Sequence, residues 1–395
     1  MLLSSLLKIE TLYKELDKKM KFTFNRKEFL EAISIGGSYA GSNRTLPVLE
    51  DVKITINDNK AWIMSYDSKN AIKTVCEVQS DTEYYIICIN KNKISDYVAL
   101  LDSETFDIEI EEKKSEIQGQ RIISATILAG NGSIVIPCED PELFAELKND
   151  KGTESVEIPA DLLSYWINTG AQFLGELIDM KLAIGCLHFL VKDGKINVFA
   201  CDNFKMYHDS YKIEDNNVYT EFSIPRNAFN GIVRALKKEE KVTIKNGANN
   251  IIFICDKSIL LVRKLDFKIP NYAKLLTFGI KYELSVNKKR LLNILQKASN
   301  IQDGKNKGIV SFQFEPDCIR ISSENWEGNI KMNDLIDVGG GDGLSQNFTI
   351  PYIMATINGI SGEEILLCVI GDRQPIYVKS PENESEITMN SPFIC

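Results

Sequence analysis

Histidine is almost missing from this chain. Only His188 and His208 occur in 395 residues, and neither stands at the spacing of a zinc site or of a nucleophile and its base, so histidine-dependent catalysis has poor support. No apolar run approaches the roughly 18–20 residues that a membrane span needs. The opening stretch, MLLSSLLKIETLYKELDKKM, lacks the basic lead and small-residue cleavage site of a secretory signal, which makes a cytoplasmic protein without a membrane partner the expectation. The nine cysteines (76, 88, 138, 186, 201, 255, 318, 368 and 395) contain no C-x-x-C pair and mostly sit in apolar runs such as IIFIC and ILLCVI. They read as buried reduced thiols, with no metal and no cofactor implied. Positive charge is also short: 46 Lys and Arg stand against 55 Asp and Glu, a net −9, which disfavours indiscriminate adsorption to nucleic acid but leaves room for a local basic face.

What the chain has in abundance is a repeat. An apolar, strand-like lead, an Asn or Pro, and then apolar residues at helical spacing occur in FTFNRKEFLEAI, ICINKNKISDYVALL, VEIPADLLSYWI, FSIPRNAFNGIV, LSVNKKRLLNIL and FTIPYIMATINGI. Anchored on Asn25, Asn90, Pro159, Pro225, Asn287 and Pro351, the copies are roughly 62–69 residues apart along almost the whole chain. Asn can cap the free N–H groups of a helix start, and Pro suits a first turn where its missing N–H costs nothing. After copies one, three and five come longer strand pairs with polar turns, as in EDVKITINDNKAWIMSYDS; after copies two, four and six the chain goes almost directly to strands. The order ABABAB predicts three domains of two repeats each. Each domain carries two helices against antiparallel strands, an α+β architecture with boundaries at 20–149, 150–278 and 279–395.

Charge separates by element. The six helical windows carry a net +8, chiefly from the fourth and fifth, which leaves −17 for everything else. Basic helices on an acidic protein suit a polyanion held on one face and repelled elsewhere. Six helices around a closed ring, spaced ~10 Å apart, would leave a hole only ~9 Å wide; twelve, from two chains, would leave ~28 Å, enough for a duplex.

The stretches NRTLPVLEDVKITI, FSIPRNAFNGIVRAL, KIPNYAKLL and the terminal MNSPFIC resemble the corresponding segments of the bacterial DNA polymerase III beta subunit, the sliding clamp, and the resemblance runs from Met20 to Cys395. It implies three clamp-like domains, each of two β-α-β-β-β type repeats, with helices inside and sheets outside a head-to-tail ring dimer. It also implies a non-catalytic processivity factor of DNA replication. Its partners would be duplex DNA bound without sequence preference, the catalytic subunit of DNA polymerase III, the clamp loader and other proteins carrying clamp-binding peptides.

Long cations on helices can touch phosphates without reading bases. The DNA-facing candidates are Arg26, Lys27, Lys91, Lys93, Arg226, Arg234, Lys237, Lys238, Lys288, Lys289, Arg290 and Lys297; the resemblance adds Arg44 and Lys181 on loops. It further implies an apolar peptide-binding cleft formed by Ile184, Phe204, Lys205, Met206, Pro270, Lys274, Leu275, Arg373, Pro375, Met389, Pro392, Phe393 and Ile394. Here the chain departs from the family. CDNFKM replaces a usual Thr-Asp-Gly-His-Arg-Leu, and SPFIC replaces Met-Pro-Met-Arg-Leu, which changes the peptide preference to be expected.

Residues 1–19 have no family counterpart and are expected to be either an amphipathic partner-docking segment or the product of a misassigned start. Two other readings stay open. A clamp-derived scaffold ring that binds peptides outside chromosomal replication, for example one encoded by a mobile element, would keep the same residues. An enzyme would need VGGGDG to be a phosphate loop, yet it lacks the following Lys-Ser/Thr.

Overall fold

The computed structural model describes residues 20–41, 46–114, 121–130, 132–144, 152, 154–176, 182–302, 308–325, 327–328 and 330–394. Six α-helices are present among them: α1 (Arg26–Gly36), α2 (Lys91–Ala99), α3 (Ala160–Gly170), α4 (Phe229–Leu236), α5 (Lys288–Asn300) and α6 (Ile350–Asn358). All six fall on the repeat anchors, and the anchor chemistry divides in two. Asn25, Asn90 and Asn287 are N-caps whose side chains accept the N–H of Glu28, Lys93 and Arg290. Pro159 and Pro225 instead end the preceding strands, while Pro351 lies inside the first turn of α6. The first N–H of α3, at Ala160, goes to Glu240 O at 3.0 Å.

That bond is itself repeated: Arg26 N donates to Glu104 O and Lys288 N to Glu363 O, both at 2.8 Å. The strand pairings repeat in threes as well. Leads 20–25, 154–159 and 282–287 pair antiparallel with 105–114, 241–246 and 364–369. Leads 84–90, 220–225 and 344–349 pair with 51–57, 186–192 and 309–314. Two of the polar turns between strands have residues at positive φ, Asp58 with Asn59 and Asp193 with Gly194, the conformation that a tight two-residue hairpin requires.

Contacts gather the chain into two compact units, Met1–Asp161 with Ala228–Arg263, and Leu162–Asn227 with Lys264–Cys395. The first holds one 13-stranded sheet and the second an eight-stranded and a four-stranded sheet. Each unit therefore joins strands from two of the expected domains. Inside the first, strand 70–77 pairs with 258–263; inside the second, 205–212 pairs with 387–390.

The cores follow from strand alternation. In strand 105–114 Phe106, Ile108 and Ile110 are buried, while the acidic residues between them are on the other face. Phe24, Phe29 and Phe106 pack with ring centroids 5.0, 5.6 and 5.1 Å apart, and truncating one of them would cost about 3–5 kcal/mol. In the second unit Phe312, Phe314 and Phe348 pack with Leu291, Ile294 and Ile353 from α5 and α6.

Candidate functional site

The helical cations divide according to what they touch. Arg26 donates to the carbonyls of Ala99 (3.2 Å) and Leu101 at the end of α2. Lys288, at the same place on α5, donates to those of Asn358 (3.4 Å) and Ile360 beyond α6. Both satisfy carbonyls that a helix end leaves unpaired. Arg290 donates to Leu335 O (2.9 Å) and Arg234 to Ser34 O (3.3 Å). Lys238 pairs with Glu31 at 2.6 Å and Lys297 with Asp334 at 2.8 Å, holding both carboxyls below their usual range. Such exposed pairs contribute at most about 1 kcal/mol and can exchange for a phosphate. Lys91 reaches the side chain of Asn92. Lys27, Lys93, Arg226, Lys237 and Lys289 are exposed, and their side chains make no hydrogen bond or ion pair with another described residue. Arg44 and Lys181 lie outside the described residues.

The expected cleft residues all lie in the second unit, with Lys205, Met206 and Met389 on its paired strands 205–212 and 387–390. Met206 and Met389 are register partners and pack with Tyr377, Cys368 and the half-buried Leu275, Leu276, Phe278 and Ile370. Tyr377 Oη donates to Leu275 O at 2.8 Å and stacks on Phe278 at 3.6 Å. This is an apolar floor. Of the other expected cleft residues, Pro270, Lys274 and Arg373 are exposed, and Ile184 and Pro375 half-buried. Arg373 sits at φ 54 on the loop before Pro375.

At the other end, Ser391 N donates to Phe204 O (2.8 Å) and Phe393 N to Asn347 O (2.7 Å), which ties down the C-terminal segment. Pro392 is half-buried, and Phe393 and Ile394 remain exposed at 42% and 59%. Phe393 also lines a groove of about 740 Å³ together with Ser311, Ser322, Asn333 and Asn347.

Lys205 lies deeper than its neighbours. It is buried, with its ammonium donating to Gln172 O, 3.4 Å from Asp202, and over the Tyr352 ring at 5.1 Å. Asp202 also accepts the N–H of Phe204 and of Lys205, both at 2.7 Å, so this side chain organises the whole turn. Tyr352, from α6, stacks on Phe204 at 5.6 Å. No motif marked Tyr352, Tyr377 or Phe278 in the sequence, since an aromatic residue in a helical or strand pattern reads as core.

Both histidines are buried. His188 lies between Ser223 Oγ and Ala183 O, each at 2.8 Å, an arrangement that fits a neutral ring, and burial lowers its pKa to about 4. The eight described cysteines are free thiols, and burial pushes most of them up to about 12, which makes them inert at neutral pH. The VGGGDG stretch connects strands 331–336 and 344–349 with no helix following directly, and Gly341 lies against Phe314 O too closely for any Cβ. That is not the geometry of a phosphate loop.

A family model described as DNA polymerase III beta subunit, N-terminal domain, matches residues 20–131, and one described as DNA polymerase III beta subunit, C-terminal domain, matches residues 275–392. The chain is 22% identical over 386 residues to the beta sliding clamp of Bacillus subtilis, covering 94% of this chain and 99% of that one. It is 18% identical over 369 residues to the beta sliding clamp of Haemophilus influenzae, covering 93% and 97%. Among solved structures, a Pseudomonas aeruginosa sliding clamp bound to griselimycin is similar at TM-score 0.87 and 16% identity over 95% of this chain and 100% of that one. The DNA polymerase III beta subunit of Thermotoga maritima gives 0.84 and 17% over 95% and 100%.

Proposed function

The chain belongs to the family of bacterial DNA polymerase III beta subunits, the beta sliding clamps, and from that membership we propose that it works as a head-to-tail dimer that encircles duplex DNA and carries the replicative polymerase by a peptide held in the cleft. It is a sliding clamp rather than an enzyme: its task is to remain topologically linked to DNA, and no bond is made or broken. The exposed Lys27, Lys93, Lys237, Arg226 and Lys289 then form the part of the helical surface free to touch phosphates, and Arg26 and Lys288 hold the helices that present them. The reading keeps domain boundaries at 149/150 and 278/279 and a cytoplasmic location. No helix among the described residues is long and apolar enough to cross a membrane.

One observation carries the dimer. In the first two domains the last strand of the A repeat, 70–77 or 205–212, pairs with the last strand of the next domain's B repeat, 258–263 or 387–390. The third strand of that series is 331–336, and its only partner among the described residues is 319–324. The corresponding B strand, 132–139, pairs with 121–129 and, by its last two residues alone, with 84–90. Each edge therefore lacks the neighbour that its repeats possess, and a second copy supplies it. Exposed apolar side chains mark both edges, Val135 (62%) and Ile122 (55%) on one, Ile330 (48%) and Leu335 (38%) on the other.

The test is retention on nicked circular DNA after loading by a matching clamp loader with ATP, followed by linearisation. Retention on the circle and loss after cutting support the reading, while equal retention on linear DNA with free ends overturns it. Val135→Asp places a charge in the proposed subunit contact and should weaken dimerisation by at least tenfold, measured by analytical ultracentrifugation.

A further inference from the structure

The side chain of Asn390 has no hydrogen-bond partner among the described residues. It ends strand 387–390, with Lys205 and Ile376 as register partners on its two sides. It is fully buried, and neither Oδ1 nor Nδ2 has a hydrogen-bond partner. A carboxamide offers two N–H donors and a carbonyl with two lone pairs, and a buried group left with all of them unmet opposes folding. An apolar residue would suit the strand better. Lys205, equally buried beside it, is fully engaged with Gln172, Asp202 and the Tyr352 ring. Tyr352 lies over the Lys205 ammonium with Phe204 stacked on it, and Phe204 is itself 50% exposed. Phe204 sits in a short turn, and uncovering the polar pair takes rotation of Phe204 and then of Tyr352 beneath it.

We propose that Asn390 determines specificity in the peptide cleft: once Phe204 and Tyr352 swing aside, its carboxamide pairs with an amide of the bound peptide, donor to acceptor and acceptor to donor. The inference rests on the peptide-cleft reading given above. A main-chain amide and the side chain of glutamine or asparagine present this same pair of groups, and they are separable. The orphaned amide weakens the free protein and is satisfied only in the complex, so stability and recognition respond in opposite directions when it is removed.

The experiment compares the full-length protein with Asn390→Val, and with Asn390→Ala should valine prevent folding. Fluorescein-labelled pentapeptides combine leucine and phenylalanine in every order with one glutamine, with methionine in its place, or with an N-methylated glutamine. Binding is read by anisotropy and the melting of the free protein by calorimetry. The expected result is a higher Tm for the variant, together with at least tenfold weaker binding of the peptides that the wild type prefers. Loss of affinity on Gln→Met in the wild type but not in the variant assigns the contact to a side chain. Loss on N-methylation in the wild type alone assigns it to the main chain. Equal binding of every peptide by wild type and variant overturns the role of Asn390 and leaves the cleft intact. If the wild type binds none of the peptides, the cleft reading fails, and the role of Asn390 with it.

Discussion

Tyr39 and Phe173 stand at the same distance past the starts of α1 and α3, and each presses its ring against a glycine of the next domain's second helix region. A Cβ on Gly231 would overlap the Tyr39 ring, and one on Gly359 would lie 2.6 Å from Phe173. The strand pairs beside them, 70–77 with 258–263 and 205–212 with 387–390, have the same topology. What differs is the chemistry. In the first unit the junction is closed by hydrogen bonds: Tyr39 Oη donates to Ala228 O at 2.9 Å, Ser258 Oγ to Thr74 Oγ1 at 2.8 Å, and Thr74 Oγ1 to Lys257 O at 3.1 Å. In the second, Ser385 Oγ donates to Asp209 Oδ1 at 2.8 Å, but Phe173 stacks on Tyr207 at 5.6 Å, Met206 and Met389 form an apolar floor, and the Asn390 side chain has no partner among the described residues. Asn70, at the first junction, at least gives its Nδ2 to Asp67. One scaffold therefore supplies a sealed joint in one place and a receptive one in another, and the difference lies in side chains alone.

The largest way to break the comparison is Met206→Asp. A carboxylate at this fully buried position, among apolar side chains, should cost about 3–5 kcal/mol. Hydrogen exchange should show protection lost in the second unit and kept in the first; a loss shared by both units would show that the joints are not independent.

Acid should sharpen the same contrast, since the units respond with opposite sign. Burial depresses His188 and His208, both in the second unit, to about 4 in the folded protein, below the usual unfolded value near 6.5. The unfolded chain then binds protons first, and stability falls as pH drops through 6.5 towards 4, by about 2 kcal/mol per histidine at pH 5. Asp51, in the first unit, is raised to about 7 by burial and by Glu139 and Glu50. Its folded form binds the proton first, so its contribution grows as pH falls below 7. Between pH 7 and 5 the second unit should lose exchange protection relative to the first. Replacing both histidines by glutamine should remove the fall.

The smallest effect is expected from Tyr39→Phe, which removes one buried hydrogen bond and leaves Ala228 O without that donor, at a cost of about 1 kcal/mol. A chemical melt of Tyr39→Phe beside Phe173→Tyr checks whether that bond is what separates the joints. The comparison fails if the Tyr39 variant is unchanged.

Much of this was legible in the sequence because it is written in local chemistry. The helix starts at Asn25, Asn90 and Asn287 follow from a side chain that can cap, and the strand alternation around Phe106 and Ile108 from a period of two. The candidate site was less legible. Arg26 and Lys288 read as cations on a helix face, yet they cap carbonyls of a helix that is distant in the chain, and no pattern announces such a neighbour. Lys205 reads as a cleft residue and is buried by Tyr352 and Gln172. Tyr352 and Asn390 carry no local signal, because their importance lies in what is stacked above them and in what fails to bond to them.

By itself the sequence determined the number and order of the repeats, the cores and the family, since periodicity, caps and turns act over a few residues and survive low identity. The tertiary structure decided which strands seal the joints, which cations are free and which amide is left unpaired. Those depend on groups far apart in the chain that burial forces together, where every donor and acceptor must find a partner or pay for its absence.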